Sequence, residues 1–158
     1  MKRILVINGP NLNMLGKREP EIYGYATLSD LYNLIKGYAR SKGIKVTFIQ
    51  SNYEGKIVEW IHKAEKKFDG IVINPAAFTH YSYAVLDALK SITKPAVEVH
   101  ISDIKKREIF RQTSVTKAGC IDQISGKGFD GYLIAIDRLV QETDIANKDM
   151  EYTSRPKA

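Results

Sequence analysis

The stretch KVTFIQSNYEGKIVEWIHKAEKKFDGIVIN, residues 45–74, decides the fold. It opens on a β-branched and aromatic run, Lys45 to Gln50, and closes on another, Gly70 to Asn74. Short runs of this kind read as strands. Between them Ile57, Ile61, Ala64 and Phe68 recur at helical spacing behind Ser51 and Glu54, with charged residues on the intervening face. A strand, a helix and a strand in so short a segment predict two parallel strands joined by a right-handed crossover.

Working outward, the same unit repeats on both sides. Ile4 to Asn8 and Ala96 to Ser102 read as further strands, and Gly119 to Ile124 as a weaker fifth. Leu28, Leu31, Ile35 and Tyr38 mark a helix behind a Thr27 cap with Asp30 three residues on. Val85, Ala88, Leu89 and Ile92 mark another, and Leu133, Ile136 and Val140 the last. Alternation of this kind predicts an α/β fold, a doubly wound five-stranded parallel sheet with helices on both faces. No linker or repeat divides residues 1–146, which are read as one catalytic domain. Residues 147–158 are polar and aperiodic and read as a frayed tail.

The composition excludes several classes. The apolar runs are too short to cross a bilayer. Met1-Lys2-Arg3 followed by four apolar residues lacks the length and cleavage site of a signal peptide, so the expectation is a cytoplasmic protein. Cys120 is the only cysteine, which excludes an internal disulfide or a cysteine-based zinc site. Three histidines without ligand spacing argue against a metal. The net charge of +6 suits an anionic ligand, but the lysines are scattered and no aromatic-interleaved stripe marks a nucleic-acid surface.

One connection is long. Gly9 to Ala26 spans 18 residues, where strand-to-helix loops usually take about two to six. It leaves the carboxyl end of the first strand, where open α/β sheets bind ligands, and is a candidate lid.

Candidate chemistry gathers at the same edge. Alternation in Val97-Glu98-Val99-His100-Ile101-Ser102 puts Glu98, His100 and Ser102 on one face. A carboxylate within a central strand requires donors, and His100 can be its partner, catalytic or purely structural. Tyr23 lies in the long loop near Arg18, an arrangement that serves either as packing or as a base whose phenolate a cation favours. Arg107 and Arg111, four apart, are placed to face a single anion or hydroxyl-rich ligand. His62 reads as surface. Gly126-Lys127-Gly128-Phe129-Asp130-Gly131 resembles a dinucleotide pattern but follows the last strand, so it reads as a tight turn.

These motifs converge on a known family. Ile7-Asn8-Gly9-Pro10-Asn11-Leu12-Asn13, Leu15-Gly16-Lys17-Arg18-Glu19-Pro20 and Tyr23-Gly24 closely resemble the opening of type II 3-dehydroquinate dehydratases. So do Gln50-Ser51-Asn52 with Glu54-Gly55, Asn74-Pro75 with Ala77-Phe78-Thr79-His80, and Glu98 to Ser102 running on to Arg107 and Phe110-Arg111. The likeness is colinear from Ile4 to about Val140. It implies a flavodoxin-like fold and dehydration of 3-dehydroquinate to 3-dehydroshikimate by anti elimination through an enolate, without metal or organic cofactor.

The resemblance also assigns roles. Tyr23 is the base, held as phenolate by Arg18, and Asn11 positions a water on the enolate oxygen. His100, oriented by Glu98, protonates the departing hydroxyl, which Asn74 contacts. Amides near Ile101 and Ser102 take the substrate carboxylate, while His80 and Arg111 grip ring hydroxyls. Asp87 reaches a neighbouring subunit's site, and Arg107 belongs to a closing loop. The implied assembly is trimers packed into a dodecamer. Ala76 departs from the family's usual glycine, and Tyr53, Tyr81 and Tyr83 vary their segments. Two alternatives stay open: the Schiff-base lyase of the same reaction, whose barrel needs a longer chain, and a non-catalytic flavodoxin-like binding module.

Overall fold

In the computed structural model, which describes residues 1–153, five strands pair in parallel. They are β1 (Arg3–Asn8), β2 (Lys45–Gln50), β3 (Gly70–Asn74), β4 (Ala96–His100) and β5 (Asp122–Ser125). Their order is β2-β1-β3-β4-β5, the flavodoxin-like arrangement. The register runs from Arg3 opposite Lys45 through Asn8 opposite Asn74 to His100 opposite Ser125.

Strand alternation splits the core into two layers. On one face Ile4, Val6, Val72, Val97 and Val99 meet α2 (Leu28–Ser41) and α5 (Asp130–Thr153). On the other, Leu5, Ile7, Ile71, Ile73 and Ala96 meet α3 (Glu54–Lys67) and α4 (Tyr83–Lys90). The period of two forces this division, because successive side chains leave opposite faces. Ile57, Ile61 and Ala64 are the buried stripe of α3, as their spacing predicts.

The helix starts follow local chemistry. Thr27 and Asp30 form the reciprocal capping box at α2: Asp30 N–H donates to Thr27 Oγ1 at 3.2 Å, and Thr27 N–H to Asp30 Oδ2 at 2.8 Å. At α4 Ser82 Oγ accepts from the amide of Val85 at 3.0 Å. Ser51 does not cap α3. Its hydroxyl instead accepts from the Tyr53 amide at 3.0 Å and closes a turn.

Several boundaries move from their expected places; the fourth strand, for one, ends at His100 rather than Ser102 because the chain bends at Ile101 and Ser102. The fifth strand begins at Asp122 rather than Gly119, because Thr116–Gly119 is a 3-10 turn packed on α4. A Cβ at Gly119 would stand 2.7 Å from Leu89 Cβ, so this close approach requires glycine. The last helix continues to Thr153, past Asn147 where the sequence suggests fraying. The rest of the expected tail lies outside the described residues.

Candidate active site

β1 and β3 are the switch point of this sheet, where successive crossovers leave in opposite directions. At their carboxyl ends the chain must turn away closely. A Cβ on Gly9 would lie 2.4 Å from the Pro75 carbonyl oxygen, so only glycine lets the two connections cross there. Beyond them opens a cleft of about 550 Å³, part of it continuous with solvent. Its lining comes from the long loop after β1 (Asn11, Arg18, Tyr23), the ends of β3 and β4 (Asn74, His100, Ile101, Ser102), and the segments carrying His80, Arg107 and Arg111.

One wall is fixed by buried hydrogen bonds. Glu98 is fully buried, and His100 Nε2 donates to its Oε1 at 2.6 Å. An ionised carboxylate only accepts, so Nε2 carries the proton and Nδ1 is the nitrogen left for the cleft. Thr79 Oγ1 and Ser114 Oγ also reach Oε1, at 2.7 and 2.8 Å, and Gln123 Nε2 donates to it at 2.9 Å. Thr116 Oγ1 donates to Oε2 at 2.6 Å. Burial opposes ionisation of Glu98, yet the donors, His100 foremost, outweigh it and hold the carboxyl down at about 2. Burial, and then the Glu98 charge, push the nearby Cys120 thiol upward, which suits an inert thiol rather than a nucleophile.

Another part of the lining is loop. The connection after β1 folds into a 3-10 turn, Leu12–Met14, and a single helical turn, α1 (Pro20–Tyr23). α1 starts with Pro20 at a position where no amide partner is needed. Glu19 precedes it at φ 40°, in the left-handed region. Arg18 lies over the Tyr23 ring, 5.4 Å from its centroid, and pairs with Glu19 at 3.2 Å. The cation on the Tyr23 oxygen is another one. Arg107 Nη1 donates to that hydroxyl at 3.0 Å and to Ser102 Oγ at 3.4 Å. Its hydrogen bond to Tyr23 is the first cause that holds the Arg107 guanidinium above its ordinary range.

Arg107 and Arg111 do not share a helical turn. They sit in and beside separate 3-10 turns, Ile104–Lys106 and Ile109–Arg111, and both still reach the cleft. Glu108 stands between them, 3.5 Å from Arg107 Nε and 3.3 Å from Arg111 Nε. Its own backbone amide first, and then these arginines, keep its carboxyl below the usual range.

The floor is equally specified. Tyr132, fully buried on α5, donates to Asn8 Oδ1 at 2.6 Å and accepts from Asn74 Nδ2 at 3.0 Å. Asn74 Oδ1 accepts the amide of Ala76 at 3.1 Å, so the orientation of this amide is fixed at both ends. His80 Nδ1 donates to the Thr113 carbonyl at 2.7 Å, which leaves Nε2 for a ligand. Ala76 has φ 52°, in the left-handed region, and that is why its departure from glycine matters: an alanine there is strained.

All the expected site residues except Glu98 and Asp87 therefore line the cleft. Glu98 lies behind His100, and Asp87 is exposed on α4, away from the cleft. The sequence reading missed Thr79, Ser114, Thr116 and Gln123 around Glu98, and Tyr132 beneath Asn74. One signal was present. A carboxylate buried in a strand demands donors, and Thr113-Ser114-Val115-Thr116 is a hydroxyl-rich segment. Among the described residues no cluster of His, Cys, Asp or Glu could hold a metal ion. No helix among them is long and apolar enough to cross a membrane.

Fold and site together mark an α/β enzyme with a polar cleft at the carboxyl edge of a parallel sheet. The dehydroquinase class II family profile matches residues 2–140. A 3-dehydroquinate dehydratase of Clostridium botulinum (strain Langeland) is 53% identical over 149 residues, covering 92% of this chain and 98% of that protein. One from Halalkalibacterium halodurans is 52% identical over 141 residues, covering 89% and 97%. The crystal structure of the type II dehydroquinase from Butyrivibrio crossotus superposes with a TM-score of 0.86 at 53% identity, over 87% of this chain and 97% of that one. The chain belongs to the dehydroquinase class II family.

Proposed function

We propose that this chain dehydrates 3-dehydroquinate to 3-dehydroshikimate, as a hydro-lyase of the shikimate pathway that supplies aromatic amino acids. The observation that carries the reading is that Tyr23 from the loop and His100 from the sheet line one cleft, where they can serve as base and acid. The proton beside a ketone is weakly acidic, so its removal needs a base, a stabiliser for the enolate and an acid for the leaving group. Tyr23 takes that proton as phenolate, with Arg107 on its oxygen and Arg18 over its ring. Asn11 positions a water against the enolate oxygen. His100, held by Glu98, protonates the departing hydroxyl from Nδ1 as the carbon–oxygen bond breaks, and Asn74 contacts that hydroxyl.

Binding follows from the remaining donors. The amides near Ile101 and Ser102 take the substrate carboxylate, and His80 and Arg111 take ring hydroxyls. Loop closure over the cleft excludes water and brings Tyr23 to the ring. The reading further includes a trimer-based dodecamer in which exposed Asp87 reaches a neighbour's cleft, a cytoplasmic setting, and residues 1–146 as the catalytic domain. No metal or organic cofactor enters this scheme.

Stereochemistry tests it. With deuterium placed beside the ketone, trans to the leaving hydroxyl, anti elimination loses the label to solvent and leaves the product unlabelled. Retention of that label contradicts the proposal. Borohydride added during turnover should trap no lysine adduct; a trapped adduct would assign the chemistry to a Schiff base instead.

A further inference from the structure

The two oxygens of Glu98 are solvated unequally. Oε1 has His100, Thr79, Ser114 and Gln123 around it. Among the described residues, Oε2 has the Thr116 hydroxyl alone, at 2.6 Å. Thr116 is itself fully buried, outside the cleft lining, at the head of the 3-10 turn Thr116–Gly119. The same short segment serves the other cleft histidine. Thr113 offers its carbonyl to His80 Nδ1 at 2.7 Å, and the Val115 amide donates to the Thr79 carbonyl at 2.7 Å.

We propose that the segment Thr113–Thr116 positions both cleft histidines, with Thr116 as the positioning residue that keeps Glu98 a carboxylate aimed at His100. The inference rests on the reading of His100 as the acid. Its physical basis is the kind of donor present. Thr79, Ser114, Thr116 and Gln123 are all neutral, so they solvate the anion without cancelling its charge. A lysine or arginine there would neutralise Glu98 and leave His100 without an anionic partner. The titratable groups facing Glu98 are His100 on its own strand and Cys120 beyond the 3-10 turn, whose thiol is pushed towards its neutral form. Thr79 from the β3–α4 connection and Gln123 from β5 bring no charge.

A fully buried oxygen that loses its only donor becomes the place where a proton binds. Once Glu98 is protonated, nothing anionic remains beside Nε2 to balance His100 while Nδ1 is reloaded with a proton between turnovers. The consequence is a change in the acid group, not in substrate binding.

The test is kcat against pH with 3-dehydroquinate for wild type, Thr116→Val and Thr116→Ser. Thr116→Val is expected to lower kcat by about 10- to 100-fold on the acid limb, where the carboxyl that lost its donor takes up a proton, and far less at neutral pH, where Glu98 stays ionised. KM should stay within about threefold, because Thr116 touches no substrate. Removing a donor favours the neutral carboxyl, so the acid limb of kcat should move to higher pH. Thr116→Ser, which restores the hydroxyl, should recover most of the rate and the original limb. Wild-type kcat with an unmoved limb in Thr116→Val, or a loss that serine does not rescue, overturns the proposal. Should Thr116→Val not fold, Ser114→Ala decides: a loss of about 3- to 10-fold on the acid limb, with that limb moved upward, supports it, and an unchanged profile overturns it. A wild-type chain inactive on 3-dehydroquinate would refute the proposed function rather than this inference.

Discussion

The wall of the cleft that carries His100 and the wall that carries Tyr23 are built from different materials. His100 ends a central strand and rests on a fully buried carboxylate with five polar neighbours. Tyr23 ends a single helical turn in a long loop, and its hydroxyl is held by an arginine from another loop. The proposed acid is therefore in place before a ligand arrives. The proposed base is held by segments whose contacts are long cationic side chains. The difference teaches that preorganisation is uneven here: the sheet fixes one partner through buried hydrogen bonds, and loops hold the other through arginine contacts.

The contrast breaks most clearly at Tyr23. Tyr23→Phe keeps the ring beneath Arg18 and removes only the oxygen, so kcat should fall by about 10²- to 10⁴-fold. Binding of substrate, followed by calorimetry, should be nearly unchanged. Near-normal turnover would take the base role away from Tyr23.

The sheet side predicts a stability effect instead. Glu98 has a folded pKa of about 2 against an ordinary value of 4.5. A depressed carboxyl stabilises the fold above its unfolded pKa and loses that contribution as pH falls through the folded one. The window is therefore about pH 4.5 down to about 2, and the contribution at neutral pH reaches about 3 kcal/mol. Urea unfolding across this window should show wild type losing stability steeply and Glu98→Gln much less so. Parallel slopes would mean that the buried anion is not what holds this wall.

The smallest expected effect lies on the floor. Ala76→Gly relieves a left-handed backbone and should raise stability by roughly 0.5–1 kcal/mol, the strain of a side chain there less the added entropy of an unfolded glycine. A lower midpoint in chemical denaturation would show that the Ala76 methyl packs to more advantage than its backbone strains.

What could be read from the sequence follows the same division. β1, β3 and β4 were plain because buried parallel strands are continuous apolar runs, and the alternation around Glu98 put His100 at the ligand edge without any structure. β5 was displaced because an edge strand reading Asp122-Gln123-Ile124-Ser125 carries little apolar signal. The helix beyond Asn147 was missed because Lys148, Asp149 and Met150 are exposed and give no buried stripe. Partners distant in sequence were invisible: Arg107 meets Tyr23 across 84 positions, and Thr116 meets Glu98 across 18. Local chemistry could suggest that Glu98 needs donors. It could not say which hydroxyls the fold brings, nor that Arg107 rather than Arg18 occupies the Tyr23 oxygen.

The most direct measurement mixes the folded protein with 3-dehydroquinate and follows the ultraviolet absorbance of the conjugated enone product. The account predicts a rise proportional to enzyme concentration, with no metal or cofactor added. A flat trace from folded protein would contradict it.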